Sequence, residues 1–235
     1  MPHTTYARQL SVRADAITRK RSGERTRLRL LAAGARQLEK ASYRDLRVEG
    51  ICRAADQAKG TFYVYFKTKE LFLAELLQGY VAFEASTFPA LPPTDSPFRS
   101  YLTRIEWYER TFARNAGILR CMLQLSEVDP NVRRLWHERN ARIVDRAVAA
   151  TVARLKKPPA DPAMLRLAIR AAGTMVDQSL FERYRVHVGP GIEKADPDFL
   201  IEFHAVLAYR ALFGENPPAR EVRRARALLA IPKLR

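Results

Sequence analysis

The chain has 235 residues, of which 47% are hydrophobic, and a net charge of +16. That length suits one large domain or a small one joined to a larger one, each able to bury a core. No run approaches the ~18 apolar residues that span a bilayer, and the polar, basic start offers no signal-peptide stretch, so neither a membrane-spanning nor a secreted protein is expected. Lysine and arginine number 16 and aspartate and glutamate 8 within residues 1–75, half of the whole excess. A field of that sign attracts nucleic acid or an anionic membrane surface, and charge alone does not choose between them.

In chain order, residues 1–26 hold Arg8, Arg13, Arg19, Lys20, Arg21 and Arg25 without a sustained apolar period. They read as a mobile basic arm that reaches along DNA, into the adjacent minor groove as homeodomain arms do. From Arg27 the spacing of Leu28, Leu31, Ala32, Ala35 and Leu38 is that of an amphipathic helix, interrupted at Ser42-Tyr43. A second short helix carries Val48, Ile51, Cys52 and Ala55 on one face, and a third runs through Gly60 to Phe66. Helical spacing resumes from Lys69 to about Phe83 and stops at the proline-rich loop Phe88 to Pro97. Further helices are expected at about Phe98–Arg114, Ala116–Glu127, Asn131–Leu155, Pro162–Tyr184 and Pro197–Phe213. Asp-Pro pairs at Asp129, Asp161 and Asp196 suit an Asp N-cap followed by Pro in the first helical position. The fold should be all-α, with expected divisions at 1–26 (arm), 27–75 (three-helix unit), 76–214 (larger helical bundle) and 215–235 (basic tail).

The stretch "AADQAKGTFYVYFKTKELF", Ala54 to Phe72, carries the functional signal. Phe62 and Phe66 lie four apart and face the first two helices, which leaves Lys59, Thr61, Tyr63 and Tyr65 to look outward. A helix fills the major groove, and hydroxyls, lysines and backbone amides bind phosphates and base edges. Gly60 permits close approach of backbone to phosphate.

"VEGICRAADQAKGTFYVYFKTKELFLAELL", with the preceding "RLRLLAAGARQLEKASY", resembles the DNA-binding domain of the TetR family of bacterial transcriptional regulators over about Arg27 to Leu77. The resemblance implies that Lys59, Gly60, Thr61 and Tyr63 lie at the major groove and that Arg47, Tyr65 and Lys69 hold phosphates. It also implies a homodimer on a palindromic double-stranded operator, released by a small-molecule effector in the C-terminal helices, with dimerisation through the last two long ones. Where such domains read Gly, aliphatic, Ser in the turn, this chain has Asp56, Gln57 and Ala58. Asp56 is expected to take the left-handed conformation, Gln57 replaces an apolar residue, and Ala58 lacks a capping hydroxyl worth ~1 kcal/mol.

Candidate effector contacts are Trp107, Met122, Trp136, Met175, Asp177 and Phe181, large or adaptable side chains that suit a mostly apolar or aromatic molecule. Asp177 should face solvent, pair with Arg170 or Arg183, or meet a ligand donor, because a buried unpaired carboxylate is costly. No catalytic triad, metal-ligand pair or phosphate-binding glycine loop is present in the sequence, so an enzyme, a metal site and a cofactor are not expected. Cys52 and Cys121 stand alone and read as buried thiols of a reducing, cytoplasmic compartment. The rival reading is a basic helical protein that binds DNA without sequence preference or lies on a membrane surface.

Overall fold

Thr5 opens the first helix: its hydroxyl accepts the Arg8 amide at 3.1 Å, the N-cap geometry that satisfies one orphan donor. In the computed structural model, which describes residues 4–18, 22–89, 96–155, 157–184 and 195–231, this helix is α1 (Tyr6–Asp15). It is followed by α2 (Ser22–Leu38), α3 (Val48–Ala54), α4 (Lys59–Tyr65), α5 (Lys69–Ser86), α6 (Pro97–Arg114), α7 (Ala116–Val128), α8 (Pro130–Val152), α9 (Pro162–Tyr184) and α10 (Pro197–Phe213). Two short 3-10 turns follow at Ala219–Glu221 and Arg226–Ala230. The fold is all-α, and no strand occurs among the described residues. The Asp-Pro starts behave as expected. Asp129, Asp161 and Asp196 each accept an amide from the first turn of the helix they precede, at 2.8, 2.8 and 3.2 Å.

The chain divides into two compact units, residues 1–88 with 114–138, and residues 89–113 with 139–235. These bounds do not coincide with the expected divisions at 26, 75 and 214. α1 and α7 belong with the three-helix unit for reasons of packing. Tyr6, Leu10 and Ala14, spaced by four, are at most 3% exposed, and Ala7 is buried beside them. The Tyr6 amide donates to Asn115 Oδ1 at 2.9 Å, and Arg36 of α2 reaches Ser11 at 3.1 Å. Residues 6–15 are therefore a packed helix rather than a mobile arm, whereas Arg19, Lys20 and Arg21 lie outside the described residues. α2 starts at Ser22, not Arg27.

Within the first unit the core is α2's Leu30, Leu31, Ala33, Ala35 and Leu38 against Ile51, Phe62, Phe66, Phe72, Leu76 and Leu77, all buried. α2 and α5 meet so closely at Gly34 that an added Cβ would lie 2.7 Å from Cε1 of Phe72. α7 contributes Ala116, Ile118, Leu119, Cys121 and Met122. Both cysteines are free and buried, and burial pushes the Cys121 thiol up to about 12, so it is an unreactive packing group.

The second unit has its own cluster of Phe98 and Tyr101 from α6, Ala205, Val206 and Tyr209 from α10, and Val222 and Ala225 from the C-terminal segment. That segment is docked. The Glu202 carboxylate of α10 accepts the amides of Arg223 at 2.9 Å, Ala225 at 2.6 Å, and Arg224. Val222 and Ala225 thus join the core with Leu228 and Leu229 packed against it, while Lys233 and Arg235 lie outside the described residues. Among the described residues no helix is long and apolar enough to cross a membrane.

Candidate functional site

The α3–α4 pair is built around the turn at Asp56. Asp56 has φ 54°, the only non-glycine with positive φ among the described residues. The amide of Gln57 returns to the Cys52 carbonyl at 2.9 Å, and the Gln57 side-chain amide donates to the Asp56 carbonyl at 2.6 Å. The expected left-handed aspartate is therefore present, and the polar Gln57 is accommodated by bonding the turn's own backbone. Ala58 stands at the N-cap of α4 with no side-chain bond. Because Asp pays for a conformation glycine adopts freely, Asp56→Gly should raise the stability of this unit by ~1 kcal/mol. Denaturant titration of the two proteins checks this, and a lower midpoint for the glycine variant would contradict it.

α4 is seven residues long and held by one fully buried side chain, Phe62, whose ring lies 5.3 Å from Phe72 and 5.4 Å from Phe66. The opposite side is open. Lys59 and Gly60 are exposed, Thr61 is half-buried, Tyr63 is 48% exposed and Val64 is 77% exposed. Nothing lies within 4 Å of a Cβ built on Gly60. Val64 escaped the sequence reading, although its place between Tyr63 and Tyr65, off the Phe62–Phe66 line, gave the signal. Val64 is the most exposed of the large apolar side chains among the described residues, and the T methyl is the one apolar feature of the major groove.

Two of the cations around α4 are already engaged. Lys59 Nζ lies 2.5 Å from Glu49 of α3. This contact raises the lysine above its ordinary value and lowers the glutamate below its own. Lys69, half-buried at the first turn of α5, directs Nζ to the carbonyls of Leu46 at 3.3 Å and Tyr43 at 3.4 Å. Its ammonium thereby ties α5 to the loop before α3. Arg47, the N-cap of α3, is exposed and makes no side-chain cap bond. Tyr65 is half-buried with its hydroxyl beside the start of α2, 3.3 Å from where a Cβ on Gly23 would stand. The structure thus brings Arg47, Lys59, Tyr65 and Lys69 around the ends of α2, α3, α4 and α5, with Gly60, Tyr63 and Val64 between them.

Residues 30–76 match the family described as "Bacterial regulatory proteins, tetR family". The chain carries a tetR-family domain. No curated protein matches the chain significantly. Solved structures share the fold at low identity. A tetR-family transcriptional regulator from Streptomyces coelicolor has TM-score 0.62 and 15% identity, covering 80% of this chain and 83% of that one. The fatty acid degradation regulator FadR from Bacillus halodurans has TM-score 0.60 and 16% identity, covering 82% and 97%. FadR from Bacillus subtilis, solved in complex with stearoyl-CoA, has TM-score 0.58 and 17% identity, covering 80% and 99%. What these structures share with the chain is the fold, a tetR-family domain over residues 30–76 followed by further helices.

The candidate effector residues are divided between the units. Met122, fully buried, and Trp136, half-buried, lie in the tetR-family unit. Trp107, Met175, Asp177 and Phe181 lie in the second. There Phe181 is buried edge-on to Phe112 at 5.0 Å, and Trp107 is buried with its ring 6.3 Å from Tyr108. Asp177, half-buried, accepts the Tyr108 hydroxyl, a partner from α6 that spacing within α9 could not reveal. Arg139, 2% exposed, stacks 5.6 Å over the Tyr108 ring and donates to Asn140 at 2.8 Å. A further buried pair, Glu109 with His204 Nδ1 at 2.7 Å, joins α6 to α10. Among the described residues no group of three or more His, Cys, Asp or Glu could hold a metal ion.

Proposed function

We propose that the protein is a homodimeric, ligand-responsive transcriptional regulator that reads a palindromic operator with α4 and leaves it when a small apolar or aromatic molecule occupies the second unit. The observation that carries this is α4 itself, locked from behind by Phe62 and bare in front at Gly60, Tyr63 and Val64. In this reading Lys59, Gly60, Thr61 and Tyr63 meet the major groove. Arg47, Tyr65 and Lys69 hold the flanking phosphates. The Glu49–Lys59 pair is exposed and yields its lysine to a phosphate or base at little cost.

Dimerisation through α9 and α10 fits the surface of α9. Met164 and Leu167 are 59% and 60% exposed, and Ala171, on the same side of the helix, is exposed. An uncovered apolar stripe that includes a small residue suits a close helix-to-helix contact. Two-fold symmetry would then set two half-sites about one helical turn, ~34–36 Å, or a multiple of it apart.

Duplexes enriched from a random pool, titrated against scrambled DNA, test the reading. Phosphate contacts act on every sequence, so Tyr65→Phe and Lys69→Ala should weaken both duplexes alike. A lysine that neutralises one phosphate contributes ~0.9 to the salt slope, and Lys69→Ala should flatten the slope by that amount. Thr61→Ala should instead erode discrimination by ~1–3 kcal/mol. Failure of the parent to prefer any enriched duplex would leave a sequence-tolerant basic protein.

A further inference from the structure

Arg104 of α6 is 8% exposed, yet its Nε and Nη1 make no hydrogen bond. Nη2 donates to Ser100 Oγ at 2.9 Å, and the guanidinium lies 5.4 Å from the Tyr101 ring centroid. Arg154, just past the end of α8, is half-buried, with Nη1 on the Ala150 carbonyl at 3.2 Å and a buried, unpartnered Nε. The two helices are tied here by the Tyr101 hydroxyl and Thr151 Oγ1, 2.5 Å apart. Among the described residues neither arginine makes an ion pair, and burial, with Arg154's charge also opposing it, holds Arg104 below its ordinary value.

Guanidinium stays protonated in proteins, so Arg104 cannot relieve its burial by losing a proton as a lysine would. A buried charge with unused donors is among the costliest groups a core can hold, and two such cations on neighbouring helices add repulsion. An anion with two or three oxygens answers both, since the arginine fork pairs with carboxylate or phosphate in a bidentate manner. The aromatic side of the site is present too. Tyr101 meets Phe213 edge-on at 5.7 Å and Tyr209 at 6.3 Å.

We propose that Arg104 and Arg154 form an anion subsite in the second unit that takes the carboxylate or phosphate of a small amphiphilic ligand. Entry is from the Arg154 side, because that side chain is the less buried and stands beyond the last turn of α8. The site rests on the effector reading only for its consequence at DNA. Its existence is a property of the second unit alone.

Thermal melts and calorimetry on the intact protein separate the two. Octanoate, octyl phosphate, octanol and inorganic phosphate are compared with chloride at matched ionic strength, on the parent, Arg104→Met and Arg154→Met. Octanoate or octyl phosphate should raise the melting temperature of the parent where octanol does not. Each methionine variant should weaken the anion by about tenfold or more, the scale of a charge-assisted bond. Arg104→Met should itself melt higher than the parent in chloride, since an unpaired buried charge is removed. Protection by inorganic phosphate alone assigns the site to the free anion. Protection that needs the octyl chain assigns it to an amphiphile. Equal responses from parent and Arg104→Met, or no anion response in the parent, would overturn the subsite. Anion binding lost in Arg104→Met but without effect on operator affinity would uphold the subsite and sink the effector reading instead.

Discussion

Phe62→Ala should cost the tetR-family unit about 3–5 kcal/mol, the largest loss of any single truncation in α4. Phe62 is 0% exposed and is the one side chain that α4 buries. Its ring is shared among Phe66, Phe72 and Tyr63, at 5.4, 5.3 and 5.4 Å. A seven-residue helix is far below the ~12–15 residues at which an isolated helix becomes marginal in water, so α4 exists because it is docked. Removing the dock should therefore melt α4 before anything else. Hydrogen exchange of the α4 amides should accelerate first, and binding to operator and scrambled duplex should vanish together. The control is Val64→Ala, which removes a side chain 77% exposed and should leave stability within ~0.5 kcal/mol. If Val64 reads a thymine methyl, that variant loses discrimination while keeping the fold. Unfolding of Phe62→Ala within ~1 kcal/mol of the parent would show that α4 draws its support from elsewhere.

The contrast between those two side chains marks where the sequence was legible. Phe62 and Phe66, four apart, stated the buried side of α4, and the same arithmetic located α5 to α10, helped by Asp-Pro pairs that cap in place. Asp56 in the turn likewise took the left-handed conformation its position demanded. α1 was missed because its buried side is narrow, with Ala7 and Ala14 where larger apolar groups make the period visible, and because Arg8 and Arg13 stand among those positions. The docked C-terminal segment was missed for another reason. Its anchor is a carboxylate 21 residues away gripping backbone amides, Glu202 on Arg223, which leaves no trace in side-chain periodicity. Long-range polar partners are invisible in the same way. Asp177 meets Tyr108 across 69 residues, and nothing in "RSYLTRIEW" distinguishes a buried Arg104 from a solvated one.

The placement of α7 is the strongest such case, and it yields the most severe expected substitution outside α4. Gly117→Ala should destabilise the tetR-family unit by about 3 kcal/mol or more, at the upper end of what overpacking costs. A Cβ on Gly117 would lie 2.5 Å from the Glu39 amide nitrogen and closer still to the Leu38 carbonyl, and all of these are backbone atoms. Nothing there can rotate aside. The junction is bonded as well as tight: the Gly117 amide donates to Glu39 Oε2 at 3.0 Å, and Arg120 donates to the Leu38 carbonyl at 3.2 Å, satisfying an orphan acceptor at the end of α2. Burial holds the Glu39 carboxyl above its ordinary value even with the Gly117 bond and Arg120 opposing the shift, so parting the helices would also leave that group poorly served. Gly34→Ala supplies the comparison within the same unit. Its Cβ would meet the Phe72 ring, a side chain that shifts more readily than a backbone, and the cost should stay near ~1–2 kcal/mol. Because α2 is the element against which α3 and α5 pack, displacing its C-terminal end should weaken operator and scrambled DNA by a common factor, leaving the ratio between them intact. Denaturant midpoints for the two alanine variants check the order of the losses. A Gly117→Ala protein as stable as Gly34→Ala would mean that the end of α2 and the start of α7 separate freely, and that α7 does not brace the DNA-binding helices.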